Sequence, residues 1–268
     1  MYIETRFHKG RVRFLCLVLA LAAFLAGCQA GPPQEASADT DISTEAEDAV
    51  SLDPEVEEEA KGCFRFLWEL AQTESDSGAY GMVRDRYPGA RNVASIASTG
   101  FALAAIPYGI HKGWITEEEG RERAEKTLDT LLTLENDNGF LYHFINMLNG
   151  HPATGSEISI IDTGILLCGA ITAGEYFGGA VQEKASELYE RVDWNYFLDT
   201  SRNMFYMGLS ADGKFAGHWD VYAEQLMLYV LAAGSPTHPL DKGPYEAFGR
   251  LKGRYGEYEF IHSWFGSI

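Results

Sequence analysis

Two kinds of helical stretch alternate along this chain, and the alternation has a period of about 60 residues, which few folds can accommodate. From Pro54, the residues Val56, Ala60, Cys63, Phe64, Leu67, Trp68 and Ala71 recur at three- and four-residue steps, the stripe of an amphipathic helix. Residues 93–110 are apolar nearly all round, as expected of a buried helix. Residues 116–135 open on Thr-Glu-Glu-Glu, a helix start signal, and are amphipathic. Residues 157–177 are again mostly apolar, 181–193 amphipathic and 222–233 apolar. This pattern predicts an all-α fold in which an outer row of helices wraps an inner one, an (α/α) toroid of helical hairpins.

The connecting segments repeat in step. Gly78-Ala79-Tyr80, Gly139-Phe140-Leu141-Tyr142 and Met204-Phe205-Tyr206 each lead towards an inner helix. Ile96-Ala97-Ser98-Thr99-Gly100-Phe101 aligns with Ile160-Ile161-Asp162-Thr163-Gly164-Ile165, and Tyr222-Ala223-Glu224-Gln225-Leu226-Met227 falls in the same register. The alignment isolates one polar column, Ser98, Asp162 and Glu224, at the N-terminal ends of otherwise apolar helices. A carboxylate there is costly unless it is paired or functional. Two carboxylates converging on one mouth suit the acid and base of glycosidic cleavage, although bracing of neighbouring loops would also account for them. Glu157, beside Ser156 at an expected helix start, is a third candidate, and acidic residues also favour a first helical turn for dipole reasons alone. In the mouth loops, His218, Trp219, Asp220 and Trp264 could contact sugar rings, and Arg84 and Asp85 could bind hydroxyls or orient a carboxylate.

The N-terminus is read separately. Arg6, Lys9, Arg11 and Arg13 precede an apolar run over 14–25 that ends in Leu25-Ala26-Gly27-Cys28, the pattern of a bacterial lipobox. Residues 1–27 are therefore expected to be a lipoprotein signal peptide. Cys28 would be lipidated and hold the protein on a bacterial membrane surface. Residues 28–53, acidic and rich in Ala, Ser and Pro, read as a flexible tether to a domain over 54–268. Cys63 and Cys168 read as small buried hydrophobes. The net charge of −18 argues against nucleic acid and polyanionic substrates and leaves neutral glycans open. The histidines show no metal-ligand spacing, and the chain carries neither a nucleophile elbow nor a phosphate-binding loop, so no metal or cofactor is expected.

Four stretches resemble the bacterial glucoamylase-like family, which includes endo-β-1,2-glucanases and a module of cyclic β-1,2-glucan synthases. They are residues 92–103, 139–144, 156–163 and 219–239, the last ending in Gly234-Ser235-Pro236-Thr237-His238-Pro239. The resemblance implies an (α/α)6 barrel and a glycoside hydrolase acting on a neutral β-glucan, with Glu157, Asp162 and Glu224 on acidic motif positions. It also brings His143 and His238 in as substrate-binding candidates. Ala223 departs from the Asn often found beside the Glu. Six hairpins need about 360 residues. The span 54–268 is thus expected to hold three hairpins and the start of a fourth, to leave an apolar flank open, and to hydrolyse weakly by itself. Two other readings remain: a non-catalytic glycan-binding or scaffold lipoprotein, and a polysaccharide lyase on a helical toroid.

Overall fold

In the computed structural model, which describes residues 53–263, two serines decide where the first inner helices begin. The signal peptide, Cys28, most of the tether and Trp264 lie outside the described residues. The side chain of Ser95 accepts from Ser98 N, and that of Ser159 accepts from Asp162 N. Each ends an extended segment and starts a helix. The stretches expected to be helical throughout therefore divide. Strand β1 (Val93–Ser95) precedes helix α2 (Ile96–His111), and β5 (Ile158–Ser159) precedes α4 (Ile160–Phe177). The third inner helix, α6 (Leu226–Gly234), begins only after Gln225, so residues 222–225 are turn rather than helix.

The helices form two rows. The inner row is α2, α4 and α6, with α4 in contact with both of the others. The outer row is α1 (Pro54–Glu69), α3 (Glu117–Thr133) and α5 (Gly179–Glu190). Arg123 of α3 lies over the Trp68 ring of α1, and Lys184 of α5 reaches Glu125 and Asp129 of α3. Thr116 and Glu119 close the capping box expected at the start of α3. Cys63, expected to be buried, is exposed on α1, because the core-facing stripe runs through Phe64 instead. Cys168 is partly covered, and burial pushes its thiol up to about 11.

Glycine sets how closely the inner helices approach. A Cβ on Gly169 would fall 1.9 Å from the Gly100 carbonyl oxygen, and one on Gly100 would fall 2.6 Å from Leu166 Cα. Both obstacles are backbone, so no rotamer change relieves them. Gly169→Ala is expected to cost about 1–3 kcal/mol through overpacking, which lowers the melting temperature by about 2–4 °C per kcal/mol. An unchanged melting temperature would show that α2 and α4 are not in backbone contact.

What the helical pattern did not predict is the β-structure at the helices' N-terminal end. Strands β2 (Asn136–Asp137) and β3 (Phe140–Leu141) pair, and β4 (Phe144–Asn146) pairs with β1. Strand β7 (Met204–Leu209) pairs with β5, with β6 (Leu198–Asp199) and with β8 (Phe215–His218), all antiparallel. Beyond α6, a short helix α7 (Gly243–Ala247) leads to the hairpin β9 (Lys252–Tyr255)–β10 (Tyr258–Ile261). That last part exposes Tyr245, Leu251, Tyr255, Tyr258, Phe260 and Ile261 to solvent, and α6 exposes Val230.

Candidate active site

The repeat seen in the sequence is a repeat of hydrogen bonds. Thr99 Oγ1 donates back to Ser95 O and accepts from Val83 N. Thr163 Oγ1 donates to Ser159 O and accepts from Leu141 N. In the third unit the buried Gln225 takes that place, its Nε2 donating to Val221 O. The first two clasps tie a mouth segment to the start of its inner helix, and the third braces the turn before α6. Met82 and Phe140, beside the first two clasps, and Phe205 in the third unit are fully buried. The polar column is thereby fixed at one end of the inner row.

Within this frame Asp162, His143 and Glu157 meet. His143 Nδ1 lies 2.8 Å from Glu157 Oε1, and His143 Nε2 lies 3.4 Å from Asp162 Oδ1. The other Asp162 oxygen accepts from Ser159 Oγ, and the Asp162 side chain is 13% exposed. One imidazole therefore faces two carboxylates through its two nitrogens. Glu157 is not in a helical first turn. It precedes β5 in extended chain, where its carbonyl accepts from His143 N, and its side chain is partly open to solvent.

Glu224 joins this group electrostatically. It lies in the turn before α6 rather than on the helix, and the residue as a whole is solvent-accessible. Desolvation of its carboxyl, with the negative charge of Asp162 adding to it, raises its pKa above the ordinary carboxylate value. Ser98 occupies the equivalent place on α2 without a charge.

The other sequence candidates are placed variously. Asp85 is paired with Arg86, and Arg84 donates to Gly89 O and lies against the Tyr87 ring, so both serve their own loop. Trp219, expected to stack on sugar, is 3% exposed and packs in the core. Asp220 is exposed, and its carbonyl accepts from Gly249 N. His238 follows the C-terminal end of α6, the end away from Glu224, where its Nδ1 meets Thr237 Oγ1. His218 is bonded to Asp199 at 3.0 Å. Sequence reasoning missed Ser159, Asp199 and Tyr206. Ser159 was legible as a serine three residues before Asp162, the spacing of an N-cap. The other two become visible only through strand register.

Comparison with known proteins bears on this geometry. Residues 217–268 match the family model named Glycoamylase. Over 215 residues the chain is 24% identical to an exo β-1,2-glucooligosaccharide sophorohydrolase (non-reducing end) of Parabacteroides distasonis, a match covering 75% of this chain and 29% of that protein. The chain resembles β-1,2-glucan hydrolases. The solved structure of an endo-β-1,2-glucanase from Chitinophaga pinensis, a sophorotriose and glucose complex, superposes with a TM-score of 0.69 at 23% identity, covering 80% of this chain and 57% of that one. A β-1,2-glucanase from Parabacteroides distasonis superposes with a TM-score of 0.64 at 25% identity, covering 71% and 29%. The fold is thus that of these helical-toroid enzymes, and the chain spans less than two thirds of the length of each.

Proposed function

We propose that this protein is a glycoside hydrolase that cleaves a neutral β-glucan, β-1,2-linked, by carboxylate acid/base catalysis. In this reading the two helical rows are an arc of an (α/α)6 toroid and the mouth sheet is its substrate-facing rim. The observation that carries the reading is the meeting of Asp162, Glu157 and His143 at one mouth, with Glu224 in the turn before the neighbouring inner helix and within reach of the Asp162 charge. A carboxyl that keeps its proton to higher pH suits the general acid that protonates the leaving oxygen. Asp162, oriented by Ser159 and His143, is its partner carboxylate. Glu157 lies next to the partner, on the other side of the imidazole. The similarity to β-1,2-glucan hydrolases supports the substrate class. Reducing-end release from a panel of neutral glucans tests it. Release from β-1,2-glucan is expected, and release from none of them would leave the non-catalytic glycan-binding reading.

We also propose that the protein works at a membrane surface, held by lipid on Cys28. Cys28→Ala is expected to move it from the membrane to the soluble fraction. Retention of the variant in membranes would refute the anchor.

A further inference from the structure

The strand register puts more than the carboxylates on one face of the mouth sheet. Opposed residues in an antiparallel pair point to the same face, as do residues two apart along a strand. Ser159 opposes Gly208, Gly208 opposes Ala216, Tyr206 opposes His218, and Met204 opposes Asp199. On the opposite face Phe205, Leu209 and Ile158 are buried, whereas Phe215, which opposes Leu209 on the outer strand β8, is exposed. The mouth face therefore runs from Glu157, whose Cγ lies beside Gly208, past Ala216 to Tyr206 and His218. Gly208 is covered by Ile158 O and Glu157, and the small, exposed Ala216 lies between the carboxylates at one end and an aromatic, hydrogen-bonding patch at the other. Tyr206 lies about 7 Å from Gly208, two residues along an extended strand. That is on the scale of one pyranose ring.

The patch is oriented. His218 Nε2 meets Asp199 Oδ2 at 3.0 Å, across β7. Asp199 Oδ1 is in turn occupied by Ser201 Oγ, Ser201 N and Arg202 N. Those contacts, the Ser201 hydroxyl first, hold the Asp199 carboxyl down at about 2, so it is an anion that accepts from His218 Nε2. The other ring nitrogen, Nδ1, makes no hydrogen bond among the described residues. The Tyr206 hydroxyl makes none among the described residues either. The Tyr206 ring lies against the His218 ring, with centroids 4.6 Å apart.

We infer that Ala216, Tyr206 and His218 form a glucosyl-binding subsite next to the carboxylates, in which a hexopyranose lies over Ala216 and hydrogen-bonds His218 Nδ1 through a hydroxyl. The inference rests on the hydrolase reading, because the bound sugar is one unit of the chain whose neighbouring linkage meets Asp162 and Glu224. The Asp199 carboxylate is a positioning group that acts through His218.

Calorimetric titration of the full chain with a β-1,2-linked glucotriose tests this, using wild type, Ala216→Trp, His218→Ala and Tyr206→Phe. Ala216 is exposed, so the indole fills the strip without entering the core, and an unchanged melting temperature verifies that. Ala216→Trp and His218→Ala are each expected to weaken binding tenfold or more, with a smaller loss for Tyr206→Phe. Wild-type affinity in both Ala216→Trp and His218→Ala would overturn the subsite and leave the hydrolase reading standing. No binding by wild type would overturn the hydrolase reading, and the subsite with it.

Discussion

Replacing Glu224 with Gln is expected to cut glucan hydrolysis by about 10²-fold or more, the usual contribution of a positioned acid or base. Gln is nearly isosteric and neutral, like the protonated acid, so the fold and melting temperature should stay unchanged. The pH dependence follows from the direction of the shift. A general acid must carry its proton, and the raised pKa of Glu224 keeps it protonated to higher pH than an ordinary carboxyl. The rate should therefore fall as pH rises through that raised value. The stability linkage has the same sense. The folded state holds this proton more tightly, so the contribution is full at low pH and is lost as pH rises through the folded pKa. Part of the shift comes from the charge of Asp162, so Asp162→Asn should lower the Glu224 pKa. A carbon-13 titration of the Glu side chains in the two proteins checks this without relying on turnover. A Glu224 resonance that titrates at the ordinary value and ignores Asp162→Asn would separate the two residues and remove the proposed pair.

The second large effect is expected at His143. Its imidazole lies between Glu157 and Asp162, so His143→Leu removes the group facing both carboxylates and leaves them adjacent with only Ser159 on one of them. Hydrogen bonds to charged groups contribute about 1.5–3 kcal/mol when buried, and the exposure of Glu157 reduces its share. We expect a stability loss of about 1 kcal/mol and a rate loss of tenfold or more, since each 1.36 kcal/mol at the transition state is a factor of ten. His143→Gln, which can still donate to one carboxylate, should recover part of both. A His143→Leu enzyme with wild-type rate would show that His143 only fills space.

The two helical rows were legible because partial burial writes a 3.6-residue period into the outer helices, 54–69 and 117–133, while 96–111 and 160–177 are apolar nearly all round. The column of Ser98, Asp162 and Glu224 was legible for the same reason, as polar breaks in apolar runs. The helix starts were misread by three to four residues, since Val93, Ala94 and Ile158 are apolar in a strand as well as in a helix and only the Ser95 and Ser159 caps separate the two states. The start of α6 carries no serine, and there the misreading put Glu224 on a helix instead of in the turn before it. The mouth sheet was invisible because its strands are two to six residues long, too short for alternation to stand out. Its face gathers His143, Glu157, Tyr206 and His218 from distant segments, and only register brings them together. Trp219 shows the opposite error, an aromatic assigned to substrate on type alone that the core uses instead.

The central claim is that Asp162 and Glu224 hydrolyse a β-1,2-glucan at this mouth. The most direct measurement is proton NMR of a β-1,2-glucooligosaccharide incubated with high concentrations of the purified chain, wild type beside Glu224→Gln. The account predicts that new reducing-end anomeric signals grow with wild type, even if slowly, and are at least a hundredfold slower to appear with the variant. No new reducing ends with wild type, or equal growth with Glu224→Gln, would contradict it.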